Sequence, residues 1–233
     1  MIHDRIVGRE NETVRHGWVE EKLHEISKTY GCRSLLDVGA GMSPYKGVAL
    51  SNGLSYKSHD FSSYVPSSKQ MGIQDKSWTY PTHDFTCDVL EIPVELKFDG
   101  ILCTEVLEHV PDPVRTFDHL CNLLKPNGLI IVTVPFLSLM HQAPYWFQSG
   151  LSPFWFEERA KASKLQILEL TVNGDYVDFL SQELKRLFQF SHRTKFIGQG
   201  LAFCIQNLRS RISKPILESG AFGVMFLGRR QPN

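Results

Sequence analysis

What this chain of 233 residues lacks narrows its class first. No two of its five cysteines stand at C-x-x-C spacing, which removes zinc ribbons and thioredoxin-like redox pairs. Scattered through largely apolar runs, Cys32, Cys87, Cys103, Cys121 and Cys204 read as reduced core thiols of a cytoplasmic protein. Neither sign of charge is in excess, with 25 Lys and Arg against 25 Asp and Glu, so no global nucleic-acid or membrane signature is present. Nor does a basic stripe with interleaved aromatics mark a nucleic-acid groove. The longest apolar window, Leu129 to Met140, is too short and too polar to cross a bilayer. Met1 to Glu12 is polar and charged, so no secretory signal is expected. With 42% hydrophobic residues, the length suits one globular domain with a modest addition.

The even charge balance hides an uneven distribution. From Leu180 to Asn233 nine basic residues (Lys185, Arg186, Arg193, Lys195, Arg209, Arg211, Lys214, Arg229, Arg230) face two acidic ones (Glu183, Glu218), so the tail carries +7 and residues 1–179 carry −7. A basic annex on an acidic body suits an anionic substrate or surface, or simply a solvated helical face.

The rest of the chain is arranged around Leu35-Leu36-Asp37-Val38-Gly39-Ala40-Gly41-Met42-Ser43-Pro44. The apolar run predicts a buried strand that ends on an acid. Two glycines one residue apart let the chain turn sharply and let a ligand approach bare backbone. A helix opening at Pro44 would aim its first amides at the same spot. Strand, glycine turn and helix form the first unit of a nucleotide-binding α/β sheet. A dinucleotide fingerprint G-x-G-x-x-G would need glycine where Pro44 stands. Asp37, at the strand's end, suits a cationic ligand group better than a pyrophosphate. Both points argue against an NAD-dependent oxidoreductase on the same fold.

Asp37-Val38-Gly39-Ala40-Gly41 resembles the first motif of class I S-adenosylmethionine (SAM)-dependent methyltransferases, with Ser43 where a third glycine is common. Further matches follow in order. Leu54 to Asp60 predicts a second strand whose terminal acid, Asp60, could accept from both hydroxyls of a ribose, the role the resemblance gives it; a plain turn or cap is the alternative. Cys87-Asp88-Val89-Leu90-Glu91-Ile92-Pro93 resembles the family's third-strand motif. The resemblance implies that Asp88 accepts from the adenine amino group and that the Val89 amide faces a ring nitrogen, with Asp84 as rival. Phe98 to Cys103, then Thr104-Glu105-Val106-Leu107-Glu108-His109, resembles the fourth strand and the E-V-L-E-H of many members. By that resemblance Thr104 and Glu105 lie beside the methionine end of the cofactor. The matched region covers residues 33–136.

The resemblance implies a Rossmann-like seven-stranded sheet of order 3-2-1-4-5-7-6, mostly parallel with an antiparallel last strand, and helices on both faces. Residues 1–32 are expected to form an N-terminal helical segment, with Val14, Trp18, Leu23, Ile26 and Tyr30 near helical spacing and Gly31 as its stop. The methyltransferase domain is expected over 33–233. Pro113 should open a helix that closes at Lys125-Pro126-Asn127-Gly128, and Leu129 to Val134 should be a strand. Ser62 to Pro81 reads as a loop over the pocket. Phe154 to Lys164 is expected as a helix, Leu165 to Val172 as a strand, and Phe222 to Leu227 as the last strand. Between these, Tyr176 to Phe190 and Gly200 to Ile212 should be amphipathic helices of an insertion over about 175–215, a lid or subunit contact. Its basic, aromatic character also permits peripheral membrane contact.

The expected reaction is methyl transfer to a small-molecule or sugar hydroxyl. Members associated with bacterial surface-glycan assembly are similar around Pro135-Phe136 and His141 to Phe147. His141 is the candidate base, because it follows the fifth strand and histidine titrates near neutrality. If Glu105, Glu108 and His109 lie on one helical turn, i, i+3 and i+4 place them on one face. With His141 they could hold a divalent metal, as the similar E-x-x-E-H of some RNA 2′-O- and quinone-precursor methyltransferases does. The reading preferred here is no metal, with Glu105 orienting the cofactor while Glu108 and His109 cap and pack. A non-catalytic SAM-fold subunit is the alternative of another class, against which the retained acids Asp37, Asp60 and Asp88 speak.

Overall fold

The computed structural model describes residues 10–74, 78–188 and 194–232. Its centre is one sheet of seven strands: β1 (Ser34–Val38), β2 (Ser55–Asp60), β3 (Phe85–Thr86), β4 (Phe98–Thr104), β5 (Leu124–Pro135), β6 (Leu165–Asn173) and β7 (Gly223–Arg230). Their order is β3-β2-β1-β4-β5-β7-β6. β3, β2, β1, β4 and β5 run parallel, and β7 is antiparallel to both β5 and β6. The expected order and direction are both observed. An antiparallel strand wedged between the fifth and sixth positions departs from the six parallel strands of a dinucleotide-binding sheet.

The central strands are apolar on both faces because both faces are covered. Successive side chains alternate across a strand. Leu36, Val38, Ile101, Cys103, Ile130 and Val132 therefore share one face. There they meet Phe117 of helix α3 (Pro113–Leu123) and Phe156 of helix α4 (Pro153–Ala162). Phe156 stacks on Phe226 of β7, with ring centroids 5.1 Å apart, and burial of each such ring contributes about 1.5–3 kcal/mol. Leu35, Leu102, Leu129 and Ile131 point the other way, onto Trp18, Val19, Leu23 and Ile26 of helix α1 (Glu10–Lys28). At its middle and its first turn α1 is fastened to β6. Trp18 Nε1 donates to Glu169 at 2.7 Å, Lys22 pairs with the same carboxylate at 2.7 Å, and Asn173 Nδ2 donates to the Asn11 carbonyl.

Several boundaries moved for local reasons. Helix α2 (Lys46–Ser51) starts two residues after Pro44, because Ser43 takes a positive φ of 56° and delays the helical run. Only Phe85–Thr86 pairs as the third strand, so Asp88 lies beyond it as the cap of a 3-10 turn, Val89–Glu91. α3 begins as expected, with Pro113 at its first turn and the Asp112 carboxylate accepting from the Arg115 amide. It stops at Leu123, and Lys125 to Gly128 belong to the start of β5, where the pairing with β4 is irregular.

Among the described residues between β6 and β7 are three α-helices: α5 (Tyr176–Leu187), α6 (Lys195–Leu208) and the short α7 (Lys214–Leu217). Phe190 and Arg193 lie outside the described residues, as does the side chain of Lys195. Asp175 and Asp178 form a capping box at the start of α5. Arg209, just beyond α6, pairs with both carboxylates at 2.6 and 3.0 Å and ties the two helices together.

Candidate active site

Register brings the candidate side chains to one edge. Asp37 stands opposite Ser58 and Leu102, and Thr104 opposite Thr133, so Asp37, Asp60 and Thr104 all sit at the carboxyl ends of parallel strands. Ligands of open α/β sheets bind beyond this edge.

The turn after β1 is held by β2. Gly39 and Gly41 adopt φ of +65° and +52°, which side chains rarely tolerate. The Ala40 amide donates to the His59 carbonyl at 2.9 Å, and the Gly41 amide to Asp60 Oδ2 at 2.8 Å. Asp60 Oδ1 accepts from the Ser62 amide at 2.6 Å. Asp60 thus organises the turn as well as facing the edge. Asp60→Ala is therefore expected to destabilise the fold by about 2–4 kcal/mol, since two amides lose their acceptor. Urea denaturation of Asp60→Ala and Asp60→Asn would check this, and an unchanged midpoint in Asp60→Ala would sink it.

Asp37 is 1% exposed. Its Oδ2 accepts from the Tyr56 hydroxyl at 2.6 Å, while Oδ1 is buried with no partner. Burial pushes its carboxyl up to about 7, against the lowering effect of the Tyr56 hydrogen bond and with a further push from Asp60. A buried acceptor without a donor is rare and calls for a missing group. The ammonium of an amino-acid ligand fits that need.

Asp88 is exposed, and its Oδ1 accepts from the Leu90 amide at 2.9 Å, with the buried Val89 next to it. Asp84 is used elsewhere. It accepts from the Ser58 amide at 2.9 Å and pairs with Lys57 at 3.4 Å, and the Ser58 bond holds its carboxyl below the usual range. The loop after β2 crosses the glycine turn. A Cβ on Gly41 would lie 3.0 Å from the Trp78 ring, and Trp78 packs edge-on against Tyr64 and Tyr80.

Glu105 does not join a helical turn. With φ of +54° it leaves β4 in a left-handed bend, and only Leu107–His109 is helical. The proposed one-face arrangement of Glu105, Glu108 and His109 is thereby corrected. Glu105 Oε1 accepts from the Thr133 hydroxyl at 2.9 Å, and Oε2 pairs with Arg15 at 2.9 Å. Arg15 Nε is buried without a partner. Beside them a cavity of about 10 Å³ is lined by Asn11, Arg15, Glu105, Thr133 and Asn173 among others, room for one water.

Glu108, His109 and His141 do converge, with ligand atoms all within 4.8 Å of one another. Glu108 is fully buried, and neither carboxylate oxygen has a hydrogen-bond partner, although His109 Nε2 stands 3.8 Å from Oε1. Burial, then the neighbouring Glu105, pushes its carboxyl well above the usual range. His109 Nδ1 bonds the Tyr145 carbonyl, and His141 Nδ1 bonds the Leu139 carbonyl at 2.9 Å. Carbonyls only accept, so each Nδ1 carries the hydrogen and each Nε2 offers a lone pair. The rings meet edge-on at 4.8 Å. Burial, with help from His141, lowers His109 to about 4 and keeps it neutral. The Glu108 carbonyl accepts the Phe147 and Gln148 amides, which pins the aromatic loop over this corner.

Sequence reasoning missed Arg15, Tyr56 and Trp78. Arg15 shares the inward face of α1 with Trp18, Val19 and Ile26, so a cation on that largely apolar face was the available signal; only the packing of α1 across the sheet brings it to Glu105.

The sheet order, the glycine turn and the acids along its edge define a class I methyltransferase fold. A family model described as a methyltransferase domain matches residues 12–189. The chain belongs to that family, the class I SAM-dependent methyltransferases. Among curated proteins it resembles the ubiquinone biosynthesis O-methyltransferases of Paraburkholderia phymatum, 27% identical over 122 residues (50% of this chain, 48% of the relative), and of Pseudomonas paraeruginosa, 25% identical over 131 residues (56% and 52%). The chain thus spans about half the length of the curated relatives it matches. Similar solved structures include the [4+2]-cyclase SpnF, with TM-score 0.56 and 18% identity over 93% of this chain and 81% of that one. A putative sarcosine dimethylglycine methyltransferase from Galdieria sulphuraria has TM-score 0.51 and 17% identity over 92% and 86%. These likenesses concern the fold, and a cyclase among them shows that fold alone does not set the reaction.

Proposed function

We propose that the chain is an O-methyltransferase acting on a small molecule, and that the orphaned Oδ1 of Asp37 receives the ammonium of the cofactor's amino-acid end. That unpartnered buried oxygen is the observation that carries the reading. SAM supplies a methyl group activated by a positively charged sulfonium leaving group, so the protein mainly binds, aligns and excludes water. Alignment of this kind lowers a barrier by about 7–11 kcal/mol. In this reading Asp37, Thr104 and Glu105 hold the amino-acid end, with Arg15 fixing Glu105. The Gly39-Ala40-Gly41 turn and Asp60 hold the ribose, and Asp88 and Val89 hold the adenine. His141, its Nε2 free to accept, takes the proton of an acceptor hydroxyl, a contribution of about 10²–10⁴-fold. The O-methyltransferases among its relatives favour oxygen as the acceptor atom. A sugar hydroxyl is the other acceptor class, to be separated by an acceptor screen. Five free cysteines support a reducing, cytoplasmic setting, and among the described residues no helix is long and apolar enough to cross a membrane.

A second reading rests on the convergence of Glu108, His109 and His141. The Glu108 carboxyl and two imidazoles form a donor set that a divalent cation would accept, and a cation there would favour the ionised form of the buried Glu108.

Calorimetric titration with S-adenosylhomocysteine, with NAD as paired control, tests the first reading. Micromolar binding of the former and none of the latter is expected. No binding of either would favour a non-catalytic subunit, and NAD binding alone would overturn the role given to Asp37. Repeating the titration with EDTA and then with Mn²⁺ decides the second reading.

A further inference from the structure

Helix α6 buries the wrong side for a free-standing domain. Its small residues face the protein: Ala202 is buried, and Gly198 packs on the Leu184 carbonyl and the Phe188 side chain of the α5 end. Its large apolar residues face solvent. Phe196 is 74% and Phe203 70% exposed, and Ile197, Leu201 and Leu208 are exposed beside them. At 100° per residue, Phe196 and Phe203 fall on one stripe, with Ile197, Leu201 and Leu208 on the adjoining one. Asn207 softens little of this face, since its amide turns back onto the Phe203 carbonyl at 2.8 Å. A patch of this kind on a soluble chain marks a contact surface.

Charge indicates what covers it. Between Leu184 and Leu217 the sequence has seven basic residues and no acidic one. Lys185 and Arg186 precede the helix, while Arg211 and the highly exposed Lys214 follow it. Glu183 and Glu218 bracket the stretch and pair with Arg186 and Lys214, yet residues 183–218 still carry +5 (seven basic against two acidic), so a second copy docked face to face across a two-fold axis would set net positive charge against itself. An anionic lipid surface answers both features: its headgroups meet the cations while the phenyl rings enter the headgroup–acyl boundary.

We infer that α6 is a membrane-surface anchor, docking the protein reversibly on an anionic bilayer through Phe196 and Phe203, with Arg211 and Lys214 on the headgroups. This surface lies outside the proposed active site, so the inference stands whichever acceptor the enzyme uses. It also offers such an enzyme a route to acceptors that partition into a bilayer.

The test is co-sedimentation of the full chain with phosphatidylcholine vesicles, with and without phosphatidylglycerol. Binding is expected to the anionic vesicles and to weaken as salt rises. The double substitution Phe196→Ser, Phe203→Ser should weaken it at least about tenfold. Arg211→Gln and Lys214→Gln should each cost about fivefold on anionic vesicles only. These side chains are exposed, so thermal melting and S-adenosylhomocysteine affinity should be unchanged in every variant. Absence of binding to anionic vesicles would overturn the inference. So would binding that ignores the Phe substitutions, or light scattering that shows a dimer which those substitutions dissociate.

Discussion

Asp37→Asn is expected to stabilise the ligand-free protein above pH 7 while weakening S-adenosylhomocysteine binding about 10–100-fold. Burial pushes the Asp37 carboxyl from an ordinary 3.8 up to about 7. Between those values the unfolded chain releases a proton that the folded chain keeps. Stability therefore falls as pH rises through that window, and the loss is complete above pH 7, on the order of 4 kcal/mol. An asparagine keeps an oxygen for the Tyr56 hydroxyl and has nothing to titrate, so this slope should vanish from melting curves recorded between pH 4 and 8. Binding suffers because the ligand's ammonium loses a charged partner, an interaction of about 1.5–3 kcal/mol. In the native protein binding should also release a proton near pH 6–7, visible as buffer-dependent binding heat. An Asp37→Asn protein no more stable than the parent at pH 8 would show that burial does not push the carboxyl up.

Gly39→Ala is expected to be the most damaging single change in the turn. At φ +65° any side chain is strained, by roughly 1–2 kcal/mol. The new Cβ would also stand 2.3 Å from Val106 Cγ2, an overlap that costs about 1–3 kcal/mol more. Val106→Ala removes the second effect and leaves the first. In a four-protein cycle measured by urea denaturation, the double variant should therefore be more stable than the sum of the single changes predicts. Strict additivity would mean that the β4 bend does not press on the glycine turn.

Local sequence carried far in the first two-thirds of the chain. Apolar runs of strand length, an acid at the strand end and paired glycines need only neighbouring residues to be read, and β1, β2, β4 and the start of α3 fell where expected. Errors came where backbone conformation overrode pattern. Glu105 looked helical by its neighbours, yet its left-handed φ keeps it out of the turn that holds Glu108 and sets it on Arg15 and Thr133. Lys125 to Gly128 looked like a helix stop and instead enter β5, because Leu124 already pairs with Phe98.

The sequence by itself determined the nucleotide-binding strand, turn and helix and the acids Asp37 and Asp60 at the strand ends, because those depend on periodicity and on residues adjacent in the chain; the strand order was what the family resemblance implied. Only the tertiary structure decided that Asp37 is buried with one oxygen unanswered. It alone also decided that Arg15 crosses from α1 to Glu105, that the buried Glu108 meets His109 and His141, and that α6 turns its phenylalanines outward. Each of these is a matter of which surfaces pack together. Residues more than a hundred positions apart settle that question, and no local pattern records it.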